Sequence, residues 1–160
     1  MAAFIYRFPA DKLVQALKFG EQLDLANPLA DSLAARIAVR ADCIVPMPLH
    51  PARLGQRGHN QSLEIARRLA SRLEIPLRPH ACARVRDTPP QSALTWKERG
   101  KNMRSAFQCS EDFSGKHVAM VDDVMTSGAS LNELAIALRR AGAKEISAWV
   151  VARTVPHGAD

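Results

Sequence analysis

Residues Val118 to Ser130 read VAMVDDVMTSGAS: an apolar run, two adjacent acids, then a turn rich in hydroxyls with one glycine. Val118, Ala119, Met120 and Val121 predict a buried strand that delivers Asp122 and Asp123 at its C-terminal end. Thr126, Ser127, Gly128 and Ser130 follow, and an apolar-periodic helix begins at Leu131. In α/β sheets, ligands sit beyond the carboxyl ends of strands. A turn that gathers backbone N–H groups against a helix N-terminus is an anion site. Hydroxyls add donors without bulk, and glycine permits close approach or positive φ. Carboxylates repel phosphate but accept hydrogen bonds from vicinal sugar hydroxyls. The array therefore points to a sugar phosphate, with its phosphate in the loop and its ribose on the acids. Taken singly, each residue has a plainer reading, as a strand end or a helix cap. The specificity lies in the whole array.

Rival phosphate motifs are missing. The sequence contains neither GxxxxGK[ST] nor GxGxxG. A receiver domain would need its acidic pair near the domain start and a further aspartate after a later strand. Only 37 residues follow Asp123, which leaves no room.

Outward from this segment, the pattern alternates strand and helix. Asp11 is expected to cap a first helix carrying Leu13, Ala16 and Leu17 inward, and Asn27-Pro28 to open a second with Leu29, Leu33 and Ile37. Cys43 to Met47 predicts a strand ending in Pro46-Met47-Pro48, followed by a loop, LHPARLGQRGH. Asn60 is expected to cap a helix with the stripe Leu63, Ala66 and Leu69. Ala81 to Val85 reads as a strand, and Glu145 to Val151 as the last one, after a helix that ends at Gly142. Alternation of this kind implies a mostly parallel sheet flanked by helices.

The 160 residues suit one domain, and 47% apolar with 24% charged residues is a globular composition. No apolar run reaches the roughly 20 residues of a membrane span. The N-terminal stretch MAAFIYRFPAD lacks the pattern of a secretory signal. The net charge of +6 favours a polyanionic partner. Arg53, Arg57, Arg84, Arg86, Lys97, Arg99, Lys101 and Arg104 concentrate that charge in apparent loops. Single-stranded DNA is a weak candidate, because Trp96 is the only aromatic within the basic stretch and Phe107 lies just beyond it. Cys43, Cys82 and Cys109 offer no CxxC spacing, so reduced thiols in a cytoplasmic domain are expected, with no protein metal site.

The Val118–Ser130 segment resembles the 5-phosphoribosyl-1-pyrophosphate (PRPP) motif of type I phosphoribosyltransferases. The likeness to the ComF/GntX-like competence family is wider. It is carried by LVQALKFG, DCIVPMPLHPARLGQRGHNQSLEIARRLA, RVRDTPPQSALTWKERGKNMRSAF, VDDVMTSGAS and VVART. The resemblance implies one phosphoribosyltransferase-like domain over residues 1–160, with a helical hood at 1–41 and a core at 42–155. The family's N-terminal four-cysteine zinc ribbon has no counterpart in this sequence. By position, Asp122 and Asp123 would take the ribose hydroxyls, and Thr126, Ser127, Gly128, Ala129 and Ser130 the 5′-phosphate. Met47, Pro48 and Leu49 would form the pyrophosphate loop, with Arg53 beside it. Residues 86–104 would be a flexible flap, in which Gln91, Arg99 and Asn102 match the family pattern and Arg99 is a catalytic candidate. The resemblance further implies Mg²⁺ held mainly through PRPP, release of pyrophosphate to an acceptor, and a homodimer among the expected assemblies. Competence or DNA-uptake proteins would be partners, and a non-catalytic sensor is the alternative to an enzyme. Purine-salvage members carry an acid where this chain has Thr126, which disfavours a 6-oxopurine acceptor. His50 and His59 lie near the pyrophosphate loop, while His80, His117 and His157 read as structural or incidental.

Overall fold

The computed structural model describes residues 1–19, 22–86 and 106–155. A four-stranded sheet forms the centre, with β1 (Ala2–Ile5), β2 (Cys43–Pro46), β5 (His117–Met125) and β6 (Glu145–Arg153) in the order β1-β6-β5-β2. Every neighbouring pair is parallel. A separate antiparallel pair joins β3 (Cys82–Arg84) to β4 (Phe107–Cys109). Five helices accompany them among the described residues: α1 (Ala10–Phe19), α2 (Ala26–Ala34), α3 (Pro51–Arg57), α4 (Gln61–Leu73) and α5 (Ala129–Arg140).

Parallel strands need both faces covered. On one face Val14 and Leu17 of α1, Leu29 and Leu33 of α2, and Ile65 and Leu69 of α4 bury Ile44, Ala119, Val121 and Trp149. On the other, Leu131, Leu134 and Leu138 of α5 cover Val45, Val118, Met120 and Val150. Each fully buried Leu contributes about 2 kcal/mol of hydrophobic free energy. The alternation of β5 side chains between the two cores fixes its register, since a slip of one residue would exchange the faces.

Local chemistry sets the element ends. Asn60 caps α4 as expected, with Oδ1 accepting from Ser62 N at 3.0 Å and Leu63 N at 3.3 Å. Gly142 closes α5 at φ 93°, and a Cβ there would stand 2.7 Å from Ser114 Oγ and 2.9 Å from Ser114 Cα. Other expectations need correction. Asp11 lies one residue inside α1, and that helix buries Val14 rather than the exposed Leu13. Asn27 lies inside α2, whose N-cap is Leu25 after a 3-10 turn, Leu23–Leu25. The presumed loop after Leu49 contains α3, which begins at Pro51 and is capped by His50, whose Nδ1 accepts from Ala52 N at 3.4 Å. β1 and β4, to which the sequence pattern assigned no element, are short strands whose partners lie far along the chain.

The cysteine reading also changes. Cys82 and Cys109 form a disulfide, and only Cys43 is free. They stand opposite each other in the β3–β4 ladder with Cα atoms 4.1 Å apart. The bonds Val85 N–H to Ala106 O and Ser110 N–H to Ala81 O flank them, so 82 and 109 form a non-hydrogen-bonded pair, the closer kind. Cys43 is buried, and burial pushes its thiol above the ordinary range.

Candidate functional site

β5 is longer than its apolar run. It continues through both acids to Met125 because β6 continues to pair with it, with Asp122 opposite Val150 and Met125 opposite Arg153. β2 stops earlier: Pro46 pairs with Val121, and Met47 N–H donates to Val121 O at 2.8 Å. The acids therefore emerge where one neighbouring strand has ended while the other still holds the backbone. That step places the turn after β2 beside the acid pair.

Both acids are buried, Asp122 at 8% and Asp123 at 3% exposure. Asp122 Oδ1 accepts from Ser62 Oγ and from Asp123 N, each at 2.9 Å. Asp123 Oδ1 accepts from Val124 N at 2.7 Å, and Oδ2 meets Lys18 Nζ at 2.7 Å. Burial, and then the neighbouring Asp123 charge, push the Asp122 carboxyl up to about 7, against the opposing pull of Lys18 and its hydrogen bonds.

The hydroxyl loop lies between β5 and α5. Gly128 is the α5 N-cap at φ 74°, and Asn132 N–H bonds back to its carbonyl at 2.8 Å. A Cβ at Gly128 would meet nothing closer than Met125 Sδ at 4.0 Å, so backbone conformation rather than space selects glycine here. Thr126 is exposed, while Ser127, Ala129 and Ser130 are half-buried; Ser127 Oγ accepts from Ala129 N at 3.4 Å. The start of α5 and these hydroxyls stand together where β5 ends.

Met47 and Pro48 are buried and Leu49 half-buried. Asn60 Nδ2 donates to Met47 O at 3.1 Å, so one side chain caps α4 and fastens the turn after β2. Arg53 sits on α3, one turn before Arg57. Burial lowers the Arg57 pKa, while Asp123 opposes that shift, so Arg57 lies within the field of the acid pair. His59 reaches neither acid: its Nε2 lies 2.8 Å from Leu17 O and its Nδ1 3.1 Å from Arg57 O. His80 lines a cleft of about 490 Å³ with Pro48, Leu49, Asn60 and Arg84. His117 is structural, with Nε2 2.8 Å from Ser147 Oγ. Gln91, Arg99, Asn102 and His157 lie outside the described residues.

The structure thus brings Asp122, Asp123, the Thr126–Ser130 loop and the Met47–Leu49 turn to the ends of two adjacent strands. Sequence reading missed Lys18 and Ser62. Ser62 follows a helix cap and carries no mark of its own. Lys18 is a helix residue whose role depends on where α1 docks. Among the described residues no group of three or more His, Cys, Asp and Glu is placed to hold a metal, and no helix is long and apolar enough to cross a membrane.

Comparison with known proteins agrees with this fold. The phosphoribosyl transferase domain model matches residues 59–159. Competence protein F of Haemophilus influenzae is 36% identical over 92% of this chain and 69% of its own length. The DNA utilization protein YhgH of Escherichia coli is 32% identical over 94% of this chain and 70% of its own length. Among solved structures, a glutamine phosphoribosylpyrophosphate amidotransferase from B. subtilis, complexed with ADP and GMP, superposes with a TM-score of 0.57. It is 21% identical, over 86% of this chain and 30% of its own, and shares the fold. A mostly parallel sheet flanked by helices, acids and a hydroxyl loop at its strand ends, and relatives at this identity converge: the chain belongs to the phosphoribosyl transferase domain family, alongside competence protein F and the YhgH proteins.

Proposed function

We propose that the chain binds PRPP and transfers its phosphoribosyl group with release of pyrophosphate. The observation that carries this reading is the pairing of two buried, hydrogen-bonded carboxylates with a hydroxyl loop at a helix N-terminus. Asp122 and Asp123 accept from the ribose 2′ and 3′ hydroxyls. Thr126 to Ser130 hold the 5′-phosphate through backbone N–H groups and hydroxyls. Met47, Pro48 and Leu49 present backbone to the pyrophosphate, with Arg53 adding positive charge at the start of α3, and Arg99 is assigned to the same task from the segment that follows β3. The protein supplies no nucleophile. Its residues hold the sugar, neutralise the leaving group and exclude water.

The donor set fits a Mg²⁺ ion carried on the ligand's own oxygens. Two carboxylates, one of them already holding an ammonium, provide acceptors for its water shell rather than a closed oxygen cage. Bound there, the ion would offset charge on the departing pyrophosphate.

The names of the relatives, competence protein F and DNA utilization protein, favour a second reading, in which the same site senses PRPP or a nucleotide for a DNA-uptake assembly in the cytoplasm. Turnover separates the two. Pyrophosphate release from PRPP, measured across nucleobase and amine acceptors, is expected for at least one acceptor. Tight PRPP binding with no release for any acceptor selects the sensor. Unchanged calorimetric PRPP affinity in the double variant Asp122→Asn, Asp123→Asn would remove the site assignment itself.

A further inference from the structure

The acid pair has a partner that comes from the other end of the chain. Lys18, in the last turn of α1, places Nζ 2.7 Å from Asp123 Oδ2, with the lysine side chain 22% exposed and the aspartate 4%. No conventional hydrogen bond reaches Oδ2 among the described residues, so the ammonium is its partner. Two further contacts fix this turn of α1. Leu17 O lies 2.8 Å from His59 Nε2, and the Arg57 guanidinium stands 5.0 Å from the centroid of the Phe19 ring. Residues 17, 18 and 19 are thus engaged by His59 between α3 and α4, by Asp123 and by Arg57 at the end of α3, and Lys18 is aimed by its neighbours on both sides.

We infer that Lys18 is a positioning residue of the ribose site, holding Asp123 Oδ2 in place so that the acid pair can accept hydrogen bonds from a vicinal diol. This rests on the phosphoribosyl reading of the site. Adjacent buried carboxylates cannot both ionise without compensating charge. Among the described residues, the groups facing Asp123 are Lys18 from α1, Arg57 from α3 and Asp122 on its own strand; uncharged Ser62 of α4 bonds to Asp122. Of the two cations, Lys18 makes the direct contact. An ionised carboxylate has about four acceptor directions, so Asp123 keeps capacity for a hydroxyl while it holds the ammonium. Without Lys18 the pair would retain its proton to higher pH, so one position would stay a donor over a wider pH range. The ammonium also disfavours a divalent cation on Oδ2, so Lys18 biases the acid pair toward a neutral diol.

The test is calorimetric binding of ribose 5-phosphate and of inorganic phosphate to the wild-type chain, Lys18→Met and Lys18→Arg, from pH 6 to 9, with thermal melts alongside. Lys18→Met is expected to weaken ribose 5-phosphate about tenfold at pH 7, the scale of losing one charge-assisted contact. Its binding profile should shift to higher pH, inorganic phosphate should bind as before, and Lys18→Arg should restore most of the affinity. An unchanged affinity and pH profile in Lys18→Met would overturn the inference. So would equal loss of ribose 5-phosphate and phosphate together with a lower melting temperature, because that marks α1 docking alone. If instead the double variant of Asp122 and Asp123 binds ribose 5-phosphate normally, the phosphoribosyl reading fails first and this inference falls with it.

Discussion

Ser62 donates its hydroxyl to Asp122 Oδ1 at 2.9 Å, joining the second residue of α4 to an acid 60 positions further along the chain. Its neighbour Asn60 caps the same helix and holds the Met47 carbonyl at 3.1 Å. One helix N-terminus therefore orients both the acid pair and the turn after β2. Removing the hydroxyl leaves a buried carboxylate with one donor fewer. Ser62→Ala is expected to cost about 1–2 kcal/mol in urea denaturation and to weaken PRPP binding while leaving inorganic phosphate binding unchanged.

Asn60→Ala removes the α4 cap and the tether on Met47 together. A cap alone is worth about 1 kcal/mol, and the lost bond to Met47 adds a comparable amount. Chemical denaturation should show a deficit of about 2 kcal/mol, and the helix itself should persist because Ile65, Ala66 and Leu69 remain buried. A deficit below about 0.5 kcal/mol would show that water replaces both bonds.

The acid pair predicts a pH dependence of stability. The folded pKa of Asp122 is raised from 3.8 to about 7, so between those values the native state binds more protons than the unfolded one. Its contribution to stability is fully present below the unfolded pKa and is lost as pH rises toward about 7. Asp122→Asn keeps an acceptor for Ser62 and Asp123 N and removes the charge. At pH 8 the variant is expected to be more stable by roughly 1–3 kcal/mol, with a flatter stability curve from pH 4 to 7. Denaturant midpoints across that range check both. An unaltered slope in the variant would place the titration elsewhere.

Gly128 adopts φ 74° with no steric neighbour within 4 Å other than Met125 Sδ. Gly128→Ala is therefore expected to cost about 1 kcal/mol by backbone strain alone. Phosphate affinity should fall in the same variant if the loop relaxes out of the left-handed region. Stability loss without a change in phosphate binding would separate the cap from the anion site.

Cys82–Cys109 cross-links strands whose cysteines are 27 positions apart. Reduction, or the double substitution Cys82→Ser with Cys109→Ser, should lower the unfolding free energy by about 2–4 kcal/mol. Buried Cys43 should resist alkylation in the native chain whichever state that pair is in.

Much of the site was legible in the sequence because its signals are local. The strand into Asp122, the glycine that caps α5 and the Asn60 cap depend on residues within a turn of one another, and the pattern of apolar residues placed the strands at 43–47, 117–121 and 145–151. The resemblance extended that reading to the whole family. What the sequence did not contain were pairings set by distant backbone. β5 runs to Met125 because β6 is there to receive it. β4, and with it the Cys82–Cys109 bond, exists through its register with β3.

The sequence by itself determined the chemistry at the strand ends: two acids, a hydroxyl loop and a helix start, each specified by near neighbours. Only the tertiary structure decided how those acids are charged. Docking α1 and α4 against β5 set Lys18 on Asp123 and Ser62 on Asp122, and burial raised the Asp122 carboxyl. Ionisation depends on solvent exclusion and on groups within a few ångströms, and the fold alone brings Lys18 to Asp123 and Ser62 to Asp122.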